Sequence, residues 1–250
     1  MTGAAGQGGS RGLTVEFAGI PGAGKSRLVE AFAAGLTARG IPVRQPQALL
    51  GPATPAGRRL ARKALASTAA ALDGPGTSAR AVRAIARSGQ PAAGDVAGRV
   101  VQWLVAQRVT ADAQRRGAVS LVDEGVLQCL WSIGLRGDVE PVLAALASRR
   151  VHRPDVVVVV RVPPEVALER LTARSSLHSR TQLLPESERL TELARGHRVL
   201  EGLVEWCSSA AAVPVLDVAG DDDGARDPDV VLDRLSTWWA SGRDPGSPAG

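Results

Sequence analysis

The chain has 250 residues, 44 % of them hydrophobic, and a formal net charge of +5. That length suits one α/β domain, with or without insertions, and can bury a sizeable core. Its two cysteines, Cys129 and Cys207, are too few and too far apart for a metal or redox motif, and the longest apolar run, Val156 to Val160, is too short to cross a bilayer.

Residues 1–12 are Gly-rich without an apolar core, which argues against a signal peptide and for a disordered start. Leu13 to Ala18 then reads as a buried strand. It runs into Gly19-Ile20-Pro21-Gly22-Ala23-Gly24-Lys25-Ser26, a full match to the phosphate-loop pattern G-x-x-x-x-G-K-[ST], and Arg27 to Leu36 reads as a helix. Strand, glycine loop and helix in that order form the context that makes the match meaningful. Loop amides and the helix N-terminus favour a phosphate. Lys25 would reach the outer phosphates and Ser26 would ligate Mg²⁺, so ATP or another nucleoside triphosphate is the expected ligand. Of the 30 basic residues only Lys25 and Lys63 are lysines, which makes an accidental match hard to obtain. The competing reading is a glycine turn before an ordinary helix.

Gly40 to Arg44 reads as a short second strand. An Ala- and Arg-rich insertion follows, from about 55 to 116, broken into at least three helical pieces at Gly74-Pro75-Gly76 and between Gly89 and Gly94. Val119 to Val122 is the third strand, and two helical pieces run from Val126 to Arg150. Val156 to Val162 reads as a central parallel strand because nearly every residue is β-branched. A helix starts at Pro163-Pro164, a polar segment spans about 172–185, and Glu186 to Cys207 is helical again. Val213 to Val218 is the last strand and Pro228 to Trp239 the last helix. Residues 221–229 read as an acidic loop and 241–250 as a disordered tail. Strands alternating with helices indicate a parallel sheet covered on both faces, within one domain over 13–240.

Charge is uneven along this order. Residues 56–118 carry eleven basic and three acidic side chains, and residues 201–250 three basic and ten acidic. No nucleic-acid recognition motif is present and there is no Tyr for base stacking, so an anionic small molecule explains the basic region more simply.

Two further groups carry chemistry. Asp123 ends an apolar strand, where a side chain faces the crevice above a parallel sheet. A carboxylate there can hold Mg²⁺ or accept a proton from an attacking hydroxyl, and Glu124 offers the second role. The competing reading is a plain turn capping the next helix. Arg170, Arg174 and Arg180 follow strand four, and guanidinium groups on a mobile segment would stabilise charge on a transferring phosphoryl. They could equally solvate a helix in an Arg-rich chain. Trp103 lies one turn before Arg108 and could stack on an acceptor ring, though a large aromatic there is also a core residue. The three histidines have no metal-ligand spacing, and His178 reads as solvated, with a phosphate contact the alternative.

From about Leu13 to Trp239 the chain resembles the phosphate-loop nucleotide and nucleoside kinases, thymidylate kinases most closely. The resemblance rests on the loop and on Val162-Pro163-Pro164-Glu165 to Arg170, which looks like the family's strand-four exit and lid start. Arg174 and Arg180 match lid arginines, Ala106-Gln107-Arg108 is similar to the family's Ala-Asp-Arg, and Val215-Leu216-Asp217 to its last strand. It implies a three-layer α/β/α fold with a five-stranded parallel sheet in the order 2-3-1-4-5 and a lid over about 172–185. It also implies a Mg-ATP-dependent kinase in which Arg108 contacts the substrate. Arg44 and Arg108 are acceptor-side candidates because an acidic acceptor needs a cation, a homodimer is left open, and the lack of a signal peptide or membrane-length apolar run leads us to expect a cytoplasmic protein. Three positions depart from the family. Gln45 stands where it has Glu in Arg-Glu-Pro, Gln107 where it has Asp, and Glu124 where it has Arg. The donor half reads as intact and the acceptor half as reassigned. A regulatory ATPase acting through a macromolecular partner, and a binding protein without chemistry, are the other readings.

Overall fold

The computed structural model describes residues 11–46, 64–70, 73, 75–147, 151–174, 180–219, 227–242 and 245. The expected disordered start, most of the tail, part of the insertion, His178, the middle of the polar segment and most of the acidic loop lie outside them.

Five strands form one parallel sheet: β1 (Leu13–Ala18), β2 (Val43–Arg44), β3 (Val119–Val122), β4 (Val156–Arg161) and β5 (Val215–Ala219), in the order β2-β3-β1-β4-β5. This is the order expected from the resemblance. Residues 64–70 are helical, and the helices with described bounds are α1 (Lys25–Ala38), α2 (Pro75–Ala86), α3 (Ala93–Gln114), α4 (Val126–Gly134), α5 (Glu140–Leu146), α6 (Pro164–Thr172), α7 (Glu186–Ser209) and α8 (Pro228–Ser241). A 3-10 turn spans Arg180–Leu183.

Side chains alternate across the sheet, so β1, β4 and β5 feed two cores. On one face Val15, Phe17, Val158 and Val218 pack against Val29, Phe32 and Leu36 of α1 and Val231, Leu232 and Leu235 of α8. Phe17 and Phe32 meet edge to face at 5.4 Å. On the other, Ala18, Val157 and Val159 join a larger core drawn from α2 to α7. The β-branched run of β4 is buried on both sides, as a central parallel strand must be. Cys129 and Cys207 are buried free thiols.

Parallel pairing puts all strand C-termini along one edge of the sheet. The loop after β1, the Asp123-Glu124 turn after β3 and the start of α6 after β4 therefore share that edge. Helix α3 runs the other way. Its last turn meets the opposite edge, where Gly12 donates to the carbonyl of Gln114 at 3.0 Å.

Candidate active site

The loop between β1 and α1 is shaped by two glycines in the left-handed region, Gly22 at φ 88° and Gly24 at φ 97°. A side chain at either would be strained, and at Gly22 it would also run into the carbonyl of Ala167 in α6. Gly19 is confined in turn, since a Cβ there would stand 2.8 Å from the carbonyl oxygen of Val160. The loop is thus wedged between the end of β4 and α6. Ile20 and Ala23 are buried, and Ala23 donates to Ile20 at 3.1 Å.

Lys25 opens α1 and is half-buried. Its Nζ donates to the carbonyls of Gly19 at 2.5 Å and Ile20 at 3.2 Å, so the ammonium folds back over the loop. Burial pulls its pKa down to about 8. The carboxylates of Asp123 and Glu124 push it up, and the guanidinium of Arg174 lowers it further. Those four side chains therefore lie within electrostatic reach of one another. Helix α1 has no acid in its first turn and no capping side chain, so its N-terminal amides are open to water or to an external anion. Ser26 and Arg27 are exposed beside it, Asp123 is half-buried, and Glu124 and Arg174 are exposed.

Arg180 begins the 3-10 turn. The residues after it are anchored. Thr181 and Gln182 are buried, Gln182 Nε2 donates to the carbonyl of Leu171 at 3.0 Å, and Arg189 donates to the carbonyls of Gln182 and Leu184. The polar segment expected over about 172–185 is therefore tied down in its second half. Arg44 is exposed at the C-terminal end of β2, with Gln45 next to it.

Two expected acceptor residues are not brought to this edge. Trp103 is 1 % exposed and belongs to the larger core. Arg108 pairs with Asp73 at 2.7 Å and Asp112 at 2.9 Å. Its neighbour Gln107 exchanges hydrogen bonds with the backbone N–H and carbonyl of His152, both at 3.0 Å, before β4 begins. These contacts fix that part of α3 toward the N-terminal edge of the sheet, away from the loop. The cavity of about 70 Å³ lined by Trp103, Gln107, Arg108 and Asp73 is far below the ~300–1,000 Å³ of ligand pockets. A larger open cleft, about 300 Å³ among Arg11, His152, Arg153 and Asp155, also lies at that opposite edge.

One residue was missed in the sequence. Glu16, in the middle of β1, is 1 % exposed. Burial raises its pKa to about 7 against the pull of the backbone N–H groups of Gln128, Leu127, Val126 and Gly125. The available signal was a lone acid inside an otherwise buried strand.

Among the described residues no group of three or more His, Cys, Asp and Glu side chains could cage a metal. Ser26 and Asp123 carry the oxygen donors that Mg²⁺ takes, and an ion that keeps waters and phosphate oxygens needs only one or two protein ligands. No helix among the described residues is long and apolar enough to cross a membrane.

No family model and no curated protein matches the chain. Among solved structures it is similar to a deoxyadenosine kinase from M. mycoides in two forms. With the products dCMP and a flexible dCDP bound, the TM-score is 0.51 at 12 % identity, covering 92 % of this chain and 100 % of that one. With bound dATP it is 0.52 at 12 % identity, covering 90 % and 99 %. At that identity the likeness is one of fold: the chain has the five-stranded phosphate-loop fold in which that nucleoside kinase is built.

Proposed function

We propose that the chain is a Mg-ATP-dependent phosphotransferase acting on a small-molecule acceptor, with nucleosides the first class to test. The observation that carries this reading is the convergence of Lys25, Asp123, Glu124 and Arg174 around the glycine loop at the C-terminal edge of the sheet. The loop from Gly19 to Arg27 cradles the phosphates with its N–H groups, of which Pro21 has none, and Lys25 exchanges the carbonyls of Gly19 and Ile20 for the outer phosphate oxygens. Ser26 and Asp123 hold Mg²⁺, which when bound neutralises charge on the phosphate oxygens.

Gln45 carries no carboxylate, so the acceptor proton falls to Asp123 or Glu124. Arg174 stabilises the charge that develops on the transferring phosphoryl, and the resemblance gives Arg180 the same role. Arg44, exposed on the same edge, is the acceptor-side cation. Nucleosides come first because the similar solved structures are deoxyadenosine kinases holding dATP or the products dCMP and dCDP. A cytoplasmic site of action fits the use of ATP.

The test is ADP release with Mg-ATP against deoxynucleosides, ribonucleosides and nucleoside monophosphates, with the phosphorylated product identified by mass spectrometry. Slow release alone and strong acceleration by one class is the expected outcome. Acceleration only by a protein or nucleic acid would instead favour a regulatory ATPase, whose docking face would be the basic 56–118 region.

A further inference from the structure

Strand β1 carries a single carboxylate, Glu16, three residues before the first loop glycine. Its side chain leaves the sheet on the face of Thr14 and Ala18, opposite Val15 and Phe17. There it meets the N-terminus of α4. Glu16 Oε1 accepts the N–H of Gln128 at 3.0 Å, and the amides of Gly125, Val126 and Leu127 also bond the carboxyl group. Helix α4 has no capping side chain of its own. Its orphan N-terminal amides, which ordinarily take water, a cap or an external anion, are thus satisfied by a strand 112 residues away. Gly125 is cut to fit this arrangement, since a Cβ on it would stand 2.5 Å from Glu16 Oε2.

The position of this contact matters more than its strength. Glu124 immediately precedes Gly125, and Asp123 precedes Glu124. The carboxyl group therefore grips the backbone next to the acid pair, from the strand that feeds the phosphate loop. We infer that Glu16 is a positioning residue: it fixes the Asp123-Glu124 turn relative to the phosphate loop, joining the acid pair to the loop that carries Lys25. The consequence for turnover rests on the phosphotransferase reading above; the mechanical coupling does not. Core burial alone would have been met by an apolar residue, as at Val15 and Phe17 on the other face.

The experiment compares the full chain with Glu16→Gln, which keeps the shape and removes the charge, and with Gly125→Ala, which pushes the carboxyl group off the amides from the other side. Three quantities are read: amide hydrogen exchange over 123–128, Mg-ATP binding by calorimetry, and the kcat and KM of ADP release from Mg-ATP. Both variants should exchange these amides faster and bind Mg-ATP as the parent chain does. Their kcat should fall about 10- to 100-fold with little change in KM, the size usual for residues that orient a catalytic group from behind. Should Glu16→Gln fail to fold, Gly125→Ala carries the same comparison with the carboxylate still present. Unchanged exchange over 123–128 would overturn the coupling. Faster exchange with parental kcat would reduce Glu16 to a helix cap and overturn the positioning role. A parent chain that neither binds Mg-ATP nor releases ADP would refute the phosphotransferase reading, while exchange would still decide the coupling.

Discussion

The ammonium of Lys25 bonds the carbonyl oxygen of Gly19 at 2.5 Å, so the backbone of the loop holds the cation that a triphosphate would claim. The two contacts compete, and the exchange makes nucleotide binding depend on this side chain. Lys25→Ala should leave the fold intact and remove most of the nucleotide-dependent stabilisation. For the parent chain that stabilisation is about 2.7 kcal/mol at 100-fold saturation. Thermal shift with Mg²⁺ and ATP, GTP or their analogues is the measurement, and a shift in the variant equal to the parent's would contradict the assignment.

Asp123 and Glu124 both act on Lys25, and each can serve the metal or the acceptor proton. Asp123→Asn should cut turnover by about 10²-fold or more, the usual cost of losing a general base. Glu124→Gln, assayed alongside with the same acceptor, separates the two roles. Near-parental turnover in both variants would return the pair to a simple turn.

Arg174 is exposed yet felt at Lys25. If it meets the transferring phosphoryl mainly near the transition state, Arg174→Ala should lower kcat by about 10²-fold while nucleotide affinity changes little. Calorimetry and steady-state kinetics on the same preparation decide this. A loss confined to affinity would make Arg174 a ground-state contact.

Glu16 predicts a pH dependence of stability. Its folded pKa, about 7, lies above the ordinary value of 4.5, so the folded state binds the proton more tightly than the unfolded chain does. Its favourable contribution is complete below pH 4.5 and is lost as pH rises toward 7. Relative to Glu16→Gln, the parent should lose about 3 kcal/mol of unfolding free energy across that window. Denaturant unfolding of both proteins at several pH values isolates this group, and a constant difference would show that its folded pKa is ordinary.

Much of the architecture was legible because local signals agreed. The glycine loop sat between a strand and a helix, β3 ended where its apolar run ended, and β4 was marked by β-branched residues on both faces. The sheet order followed from the family resemblance. What escaped reading were pairings between distant segments. Trp103 and Arg108 are neighbours on one helix, but the burial of the first and the pairing of the second with Asp73 depend on how α3 lies against the sheet. Gln107 stands where the family has Asp, and only the fold shows that its amide spans the backbone of His152. Glu16 looked like part of a strand because nothing nearby in sequence names α4 as its partner.

The two outer strands bear on how copies of this chain could meet. β2 is two residues long and offers little backbone to a neighbouring molecule. β5 carries Asp217, which Arg161 of β4 holds at 2.7 Å while also bonding Glu201 of α7. A strand docking beside β5 would have to accommodate that charge without breaking the pair. Short and charged borders of this kind discourage sheet-to-sheet growth and the fibres it leads to. Any dimer should therefore form through helix faces, with each sheet remaining five strands wide.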